Sequence, residues 1–489
     1  MKITSPKLET SHLTANEQAL LRCETALSLK DKGNYEAAQQ VMRPIWTRLG
    51  DAPRTHGLHA SVRAEVFLTV GILTGWIGSR HEITEGQESA KDLITEAITF
   101  YESIGDAKKV AACRVELAYC YWRAGELDEA RVTLLDALQH LTTEGNTRAR
   151  ALLRLAIVEW SASRYNEALT ILNDNSTLFK KITNHSLRGT YHNQMALVLR
   201  NIATPATTQE LFQNAIKEYE KADQEFKLAR NIVFRAHIKN NVAFLLLKLR
   251  RFQEAYKYAE EARRLTQSAR DKVRSAQVDD TRAQILIEQN KYVQAETIIR
   301  SAVSVFEKSG HQCLLADALI THGIALARLD RTEQAQFTFQ RAIEVAHQVG
   351  ALNKAGLGAL TLIEELDHLP GETLQAAYNR ASEWLANSQS QDILLRLNSA
   401  ARRVLVKVRG EPEERTGDNH LENKPCDLQA EVLRYEGALI SQALAKVSGS
   451  VTRAAALLGM SYQGLAYVIE SRHKDLLKER SPIRRRTRR

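Results

Sequence analysis

Apolar and small residues recur through most of the chain at i, i+3, i+7 and i+10, the spacing that places them on one stripe of an α-helix. In YVQAETIIRSA the stripe is Tyr292, Ala295, Ile299 and Ala302, with Ala283 twelve residues before Ala295. The frame also occurs at Phe252, Ala255, Ala259 and Ala262 after Ala243, and at Thr332, Ala335, Phe339 and Ala342 after Gly323. These three units follow one another at steps of forty residues. Upstream it returns as Leu127, Ala130, Leu134 and Ala137 after Ala118, as Tyr165, Ala168 and Leu172 after Ala156, and as Phe212, Ala215, Tyr219 and Ala222. Tyr35, Ala38 and Met42, then Ala90, Ile94 and Ala97, carry it to the N-terminal end, and Leu374, Ala377 and Ala381 make a degenerate last copy.

The pattern predicts eight helical hairpins and a weaker ninth. Small residues at two places in each stripe let paired helices approach closely. Gly33, Gly125 and Asn290 fall where a turn or left-handed cap joins the two helices of a unit. One hairpin cannot bury both its faces, so neighbours must stack into a solenoid. Steps of 52 residues from Ala38 to Ala90 and of 47 from Ala168 to Ala215 imply insertions, which we read in GSRHEITEGQ and NIATPATTQ. Gly71, Gly75 and Gly78 in GILTGWIG mark a tight helix contact.

The small residue late in the first helix (Ala118, Ala156, Ala243, Ala283), the aromatic residue or Leu opening the second, and the alanines that follow resemble the tetratricopeptide repeat family over residues 15–390. The family repeat is about 34 residues, so a forty-residue step implies longer helices or connections. HEAT repeats share the longer period but not this frame. The resemblance implies an all-α, right-handed superhelix whose first helices line a concave groove that binds a peptide or protein segment. By register that groove holds Tyr119, Trp122, Arg150, Trp160, Asn193, Arg200, Asn240, Lys248 and Arg328. An Asn amide can grip an extended backbone through donor and acceptor together, although Asn193 and Asn240 read first as solvated helix-face residues. Trp122 and Trp160 also read as packing between hairpins.

The repeats give way to a capping helix over residues 391–409 and then to GEPEERTGDNHLENKPCD, a polar, aperiodic linker over 410–427. Residues 428–473 form a different unit. LQAEVLRYEGALISQALAKV has a broad apolar arc, with Leu428, Val432, Tyr435, Leu439 and Ala443 beside Leu433, Ile440, Leu444 and Val447. Such an arc suggests a homodimer contact through 428–447. In SGSVTRAAALLGMSYQGLAYVIESRH, Ser450 caps a short helix, Ala454 and Ala455 sit at the crossing, Gly459 turns, and Ser461 caps a second helix with Leu465 and Ile469 inward.

Leu439, Ile440, Ala443, Leu444, Gly449, Ala454, Ala455, Leu458, Gly459, Met460, Ser461, Leu465 and Ile469 resemble the Fis-type helix-turn-helix of bacterial transcription factors. The resemblance implies that the helix from Ser461 enters the major groove of double-stranded DNA. Ser461, Tyr462, Gln463, Ala466 and Tyr467 would then face base edges, with Thr452 and Arg453 at phosphate. Family recognition helices usually carry Arg and Lys, whereas this one offers Tyr462, Gly464, Tyr467 and Glu470.

Charge shifts part of that burden to the tail. Of the net +9, six charges lie in residues 474–489, where eight basic side chains meet two acidic ones. Arg484, Arg485, Arg486, Arg488 and Arg489 are suited to phosphate or minor-groove contact. Eight prolines and 6% aromatics agree with an all-α chain. No uninterrupted apolar segment reaches the roughly 18 residues of a membrane helix, so no membrane partner is expected. Cys23, Cys113, Cys120, Cys313 and Cys426 show no CxxC pair, which fits a reducing cytoplasm. Phosphate-binding, metalloprotease, nucleophile-elbow and dinucleotide motifs are lacking, the 14 histidines fall singly or in loose pairs, and neither an enzyme nor a cofactor is expected.

The expected function is a bacterial, cytoplasmic DNA-binding regulator controlled by a partner in the repeat groove. The alternative is a non-enzymatic interaction scaffold with a dimerising C-terminal unit and a basic tail for RNA or acidic partners.

Overall fold

Each apolar stripe folds as the second helix of a hairpin. The computed structural model describes residues 12–479 apart from 81, 82, 84, 205, 387, 389 and 410–427. The described residues are helical without a strand and divide into two compact units, one ending at Arg409.

The first unit contains nine hairpins. Helix α1 (Ala15–Asp31) pairs with α2 (Tyr35–Met42), α3 (Ala60–Arg80) with α4 (Gly86–Ser103), and α5 (Ala107–Ala124) with α6 (Leu127–His140). Helix α7 (Asn146–Ser161) pairs with α8 (Tyr165–Asp174), and a short α9 (Ser176–Lys181) leads to α10 (His185–Asn201) and α11 (Thr208–Leu228). Then come α12 (Ile232–Lys248) with α13 (Phe252–Ser268), α14 (Lys272–Glu288) with α15 (Tyr292–Ser309), and α16 (Gln312–Ala327) with α17 (Thr332–Gln348). The ninth pair is α18 (Leu352–Glu365) with α19 (Gly371–Trp384), against which α20 (Gln391–Arg409) packs.

The stripes are the core. Ala130, Leu134 and Ala137 are fully buried, as are Ala255, Ala259 and Ala262. The small position late in the first helix shrinks further where its neighbour is an aromatic ring. Ala243 accompanies Ala259 and Ala283 accompanies Ile299, whereas the bulkier Phe339 is matched by Gly323, where a Cβ would lie 2.6 Å from the Phe339 ring. Close packing at native density requires such trades.

Gly33, Gly125 and Asn290 take the left-handed conformation at φ 74°, 88° and 59°. Ser163, Arg250 and Asp330 do the same in sibling hairpins without a glycine to signal it, at φ 62°, 59° and 57°. The gain is a closed helix end: Arg251 N–H donates to Leu246 O at 2.9 Å and Lys291 N–H to Leu286 O at 2.8 Å.

The first insertion is mostly elsewhere than expected. Only residues 81–85 separate α3 from α4, while residues 43–59 join α2 to α3 and bury Trp46 to 1% exposure. Burying that indole ties the long connection to the first hairpin's core. The second insertion is divided between residues 202–207 and α9. Gly71 permits the tight α3–α4 contact, since a Cβ there would lie 2.7 Å from Ile94 Cγ1. Helix α3 is long and apolar enough to cross a membrane, and most of that apolar stretch is buried among its neighbours in this fold.

The second unit has α21 (Leu428–Lys446), α22 (Val451–Leu457), α23 (Tyr462–Arg472) and a 3-10 segment, Lys474–Glu479. Its core is Ile440, Ala443, Leu444, Val451, Ala454, Ala455, Leu465, Ile469 and Leu476. The linker 410–427, with Cys426, and the arginines Arg484, Arg485, Arg486, Arg488 and Arg489 lie outside the described residues.

Candidate functional site

The first helices of the hairpins create a cavity of about 400 Å³, lined mainly from α1, α3, α5, α7 and α10, with Phe234 of α12 and Arg274 of α14. It forms where the array returns on itself. Asn184 and Asn231 cap α10 and α12 by accepting from Leu187 N at 3.0 Å and Phe234 N at 3.1 Å. From the same helix starts, Ser186 Oγ and Asn231 Nδ2 donate to the Asp31 carbonyl at 3.2 and 3.0 Å. The first hairpin thereby touches the fifth and sixth. Gly33 makes room for this, because a Cβ there would lie 2.8 Å from Asn231 Oδ1.

One wall is aromatic. Tyr35 and Trp76 stack with centroids 6.1 Å apart, Trp76 and Tyr119 at 4.7 Å, and Trp122 tilts against Tyr119 at 5.6 Å. Cations lie over these rings: Lys30 Nζ is 5.5 Å from Trp76, and the guanidinium carbons of Arg154 and Arg123 are 5.2 Å from Tyr119 and Trp122. Beneath them Glu116, 6% exposed, pairs with Arg150 at 3.1 Å and Arg154 at 2.6 Å. Burial pushes the Glu116 carboxyl up, but Arg154, Arg150 and Lys30 together outweigh it and hold the group at about 2. Burial pulls the Lys30 ammonium below its ordinary value, and Asp31 at 3.0 Å restores part of it.

Of the groove residues expected from register, Tyr119, Trp122, Arg150, Trp160 and Asn193 line this cavity. Arg200, Asn240, Lys248 and Arg328 do not; Lys248 lies 5.5 Å from the Phe244 ring and Arg328 pairs with Glu365 at 2.9 Å. Trp122 also bridges hairpins, donating Nε1 to Ser161 Oγ at 2.7 Å. The register reading missed Lys30, Tyr35, Trp76, Arg154 and Gln194. Trp76 sits in the glycine-rich stretch read as packing, and Tyr35 lies on a second helix.

In the second unit α22 and α23 cross at Ala454 and Ala455, and Gly459 turns between them at φ 66°. Ser461 caps α23, its Oγ accepting from Gly464 N at 3.1 Å. Ser450 occupies the equivalent place before α22 in extended backbone but makes no side-chain cap bond, in contrast to the sequence reading. The turn before it is formed by Ser448 and Gly449, at φ 53° and 79°. Leu465 and Ile469 are fully buried, which turns Ser461, Tyr462, Gln463 and Tyr467 to solvent, while Thr452 and Arg453 are exposed on α22. Glu436 of α21 accepts from His473 Nε2 at 2.9 Å and ties the end of α23 to the first helix. Leu433 and Leu439 remain 36% and 41% exposed on α21.

Residues 434–469 match the family model described as bacterial regulatory protein, Fis family. Among solved structures, the first unit's architecture is similar to a STAND signal transduction ATPase with a tetratricopeptide repeat sensor from Pyrococcus horikoshii. That match has 14% identity and a TM-score of 0.51, covering 79% of this chain and 65% of that one. The quorum sensor NprR from B. thuringiensis, in apo form, matches at 13% identity and a TM-score of 0.48 over 69% of this chain and 89% of its own. Aspartyl phosphate phosphatase F from Bacillus subtilis matches at 12% and 0.47 over 80% and 95%. No curated protein sequence matches the chain. The first unit thus has the fold of a tetratricopeptide-like helical-repeat array, and the segment 434–469 near the C-terminus is Fis-type by its match.

Proposed function

We propose that the protein is a cytoplasmic, non-enzymatic transcriptional regulator. Its repeat array receives a peptide or protein partner along the concave face, and this controls DNA binding by the C-terminal helix-turn-helix. The observation that carries the reading is α23, the last helix of the family-matched segment: its buried Leu465 and Ile469 leave the Ser461-capped first turn open to a duplex. The exposed Leu433 and Leu439 of α21 pair two copies through 428–447. Tyr462, Gln463 and Tyr467 read base edges, Thr452 and Arg453 meet phosphate, and the arginines at 484–489 add sequence-independent affinity.

The test is selection of bound fragments from genomic DNA by the full chain and by a chain lacking residues 428–489. A recurrent motif recovered only by the full chain, and retained against excess random duplex, is the expected result. Equal retention of all sequences overturns the regulator reading. It would favour the scaffold alternative, for which the composition of α23, with Glu470 and only Arg472 as a basic residue, is the specific support.

A further inference from the structure

We propose that the cavity within the first seven hairpins is an effector site for a compact planar anion, an aromatic carboxylate or a mononucleotide. It is separate from the macromolecular docking proposed for the rest of the concave face.

Four observations converge. The volume, about 400 Å³, falls in the range of small-molecule sites. The Tyr35–Trp76–Tyr119 stack offers a flat, largely apolar wall against which a planar body can lie. Lys30, Arg123, Arg150 and Arg154 line the cavity against a single lining carboxylate, Asp31, and with Glu116 behind them two carboxylates among the described residues face these four cations. Arg123 donates Nε to Ser79 Oγ at 2.9 Å and has no carboxylate partner among the described residues.

The fourth observation sets the sign. Trp76 Nε1, Trp160 Nε1 and Gln194 Nε2 are buried donors with no partner among the described residues, and Gln194 is only 2% exposed. Against them stands one unpaired lining acceptor, Asn193 Oδ1. An indole N–H can only donate, so two of these three assignments do not depend on how an amide is oriented. Buried donors without partners are costly and are completed by an acceptor-rich ligand. A neutral sugar would accept from the donors but leave the positive charge unanswered and gain little from the flat aromatic wall, and a cation would answer neither. A planar anion answers both while stacking on the rings.

Binding is measured on the full chain by calorimetry and tryptophan fluorescence. The probes are indole-3-acetate, benzoate and AMP, the neutral counterparts indole, benzamide and adenosine, and an acidic tetrapeptide. At least one aromatic anion is expected to bind more tightly than about 1 mM and at least about tenfold more tightly than its neutral counterpart. Arg123→Gln, at an exposed side chain, is expected to weaken that anion by about tenfold with the unfolding temperature of the free protein unchanged, and Trp160→Phe, which removes the indole donor together with part of the ring, is expected to weaken the anion by about tenfold as well. Failure of every probe to bind overturns the proposal, as does equal binding of neutral and anionic forms. Tighter binding of the tetrapeptide than of any aromatic anion also overturns it and assigns the cavity to a peptide. None of these readouts involves DNA, so their failure is distinguishable from failure of the regulator reading.

Discussion

Asn231 donates its Nδ2 to the backbone carbonyl of Asp31 at 3.0 Å, joining segments 200 residues apart. The same side chain caps α12 through Oδ1, so one buried amide serves a local and a distant partner. Asn231→Asp keeps the capping oxygen and removes the donor. We expect it to leave α12 intact, destabilise the array by about 1–2 kcal/mol, and speed amide exchange around Asp31 to Asn34. Asn231→Ala removes both roles and is expected to cost about 1 kcal/mol more. Hydrogen exchange resolved by segment, with denaturant unfolding, checks both.

Glu116 neutralises two guanidinium groups from within the core. Glu116→Gln leaves Arg150 and Arg154 without their anion and is expected to destabilise the protein by about 3 kcal/mol, measured by urea unfolding at neutral pH. The wild-type contribution has a defined pH dependence. The folded carboxyl titrates at about 2, below the unfolded group near 4.3. Its stabilisation is therefore fully present above about pH 5 and lost as pH falls towards 2. The variant should lack that component of acid unfolding.

Gly323 and Phe339 form a size-matched pair. Gly323→Ala is expected to cost about 1–3 kcal/mol by overpacking, and Phe339→Leu in the same chain should recover part of that cost. A double-mutant cycle by thermal unfolding reads the coupling. Simple additivity of the two changes would contradict the pairing.

For the helix-turn-helix, Tyr462→Ala with Gln463→Ala should reduce the ratio of specific to random-sequence DNA binding by about tenfold or more while leaving the salt dependence nearly unchanged. Removing residues 484–489 should do the reverse. Affinity falls for all duplexes, and the slope of log affinity against log salt shrinks by up to about four. Electrophoretic titrations at several salt concentrations separate the two. Loss of all binding on tail removal, with the paired alanine changes silent, would instead support the scaffold.

The hairpin count was legible because each stripe needs small side chains at fixed helical positions, and Ala130, Ala255, Ala295 and Ala335 announce it locally. The Fis-like unit was legible for a similar reason: Ala454, Ala455, Gly459 and Leu465 occupy crossing, turn and core within a short segment. Left-handed caps at Arg250, Ser163 and Asp330 were not, since the chain tolerates that conformation at a modest cost when the surrounding turn gains a hydrogen bond. The cavity was only partly legible. Register identifies which face of a first helix is concave, hence Tyr119, Arg150 and Asn193. It does not encode how tightly the hairpins wind, and winding is what brings Lys30 and Tyr35 beside residues from the fifth hairpin.

The meeting of the first hairpin with the fifth and sixth also alters how the array should respond to damage. A linear stack of repeats behaves as a one-dimensional lattice, in which a lesion propagates only to its neighbours and the ends fray independently. A stack stapled between its first hairpin and its fifth and sixth acquires a boundary condition: fraying of α1 must also break the bonds from Ser186 and Asn231 to Asp31, so the first six hairpins are expected to unfold more cooperatively than the last three.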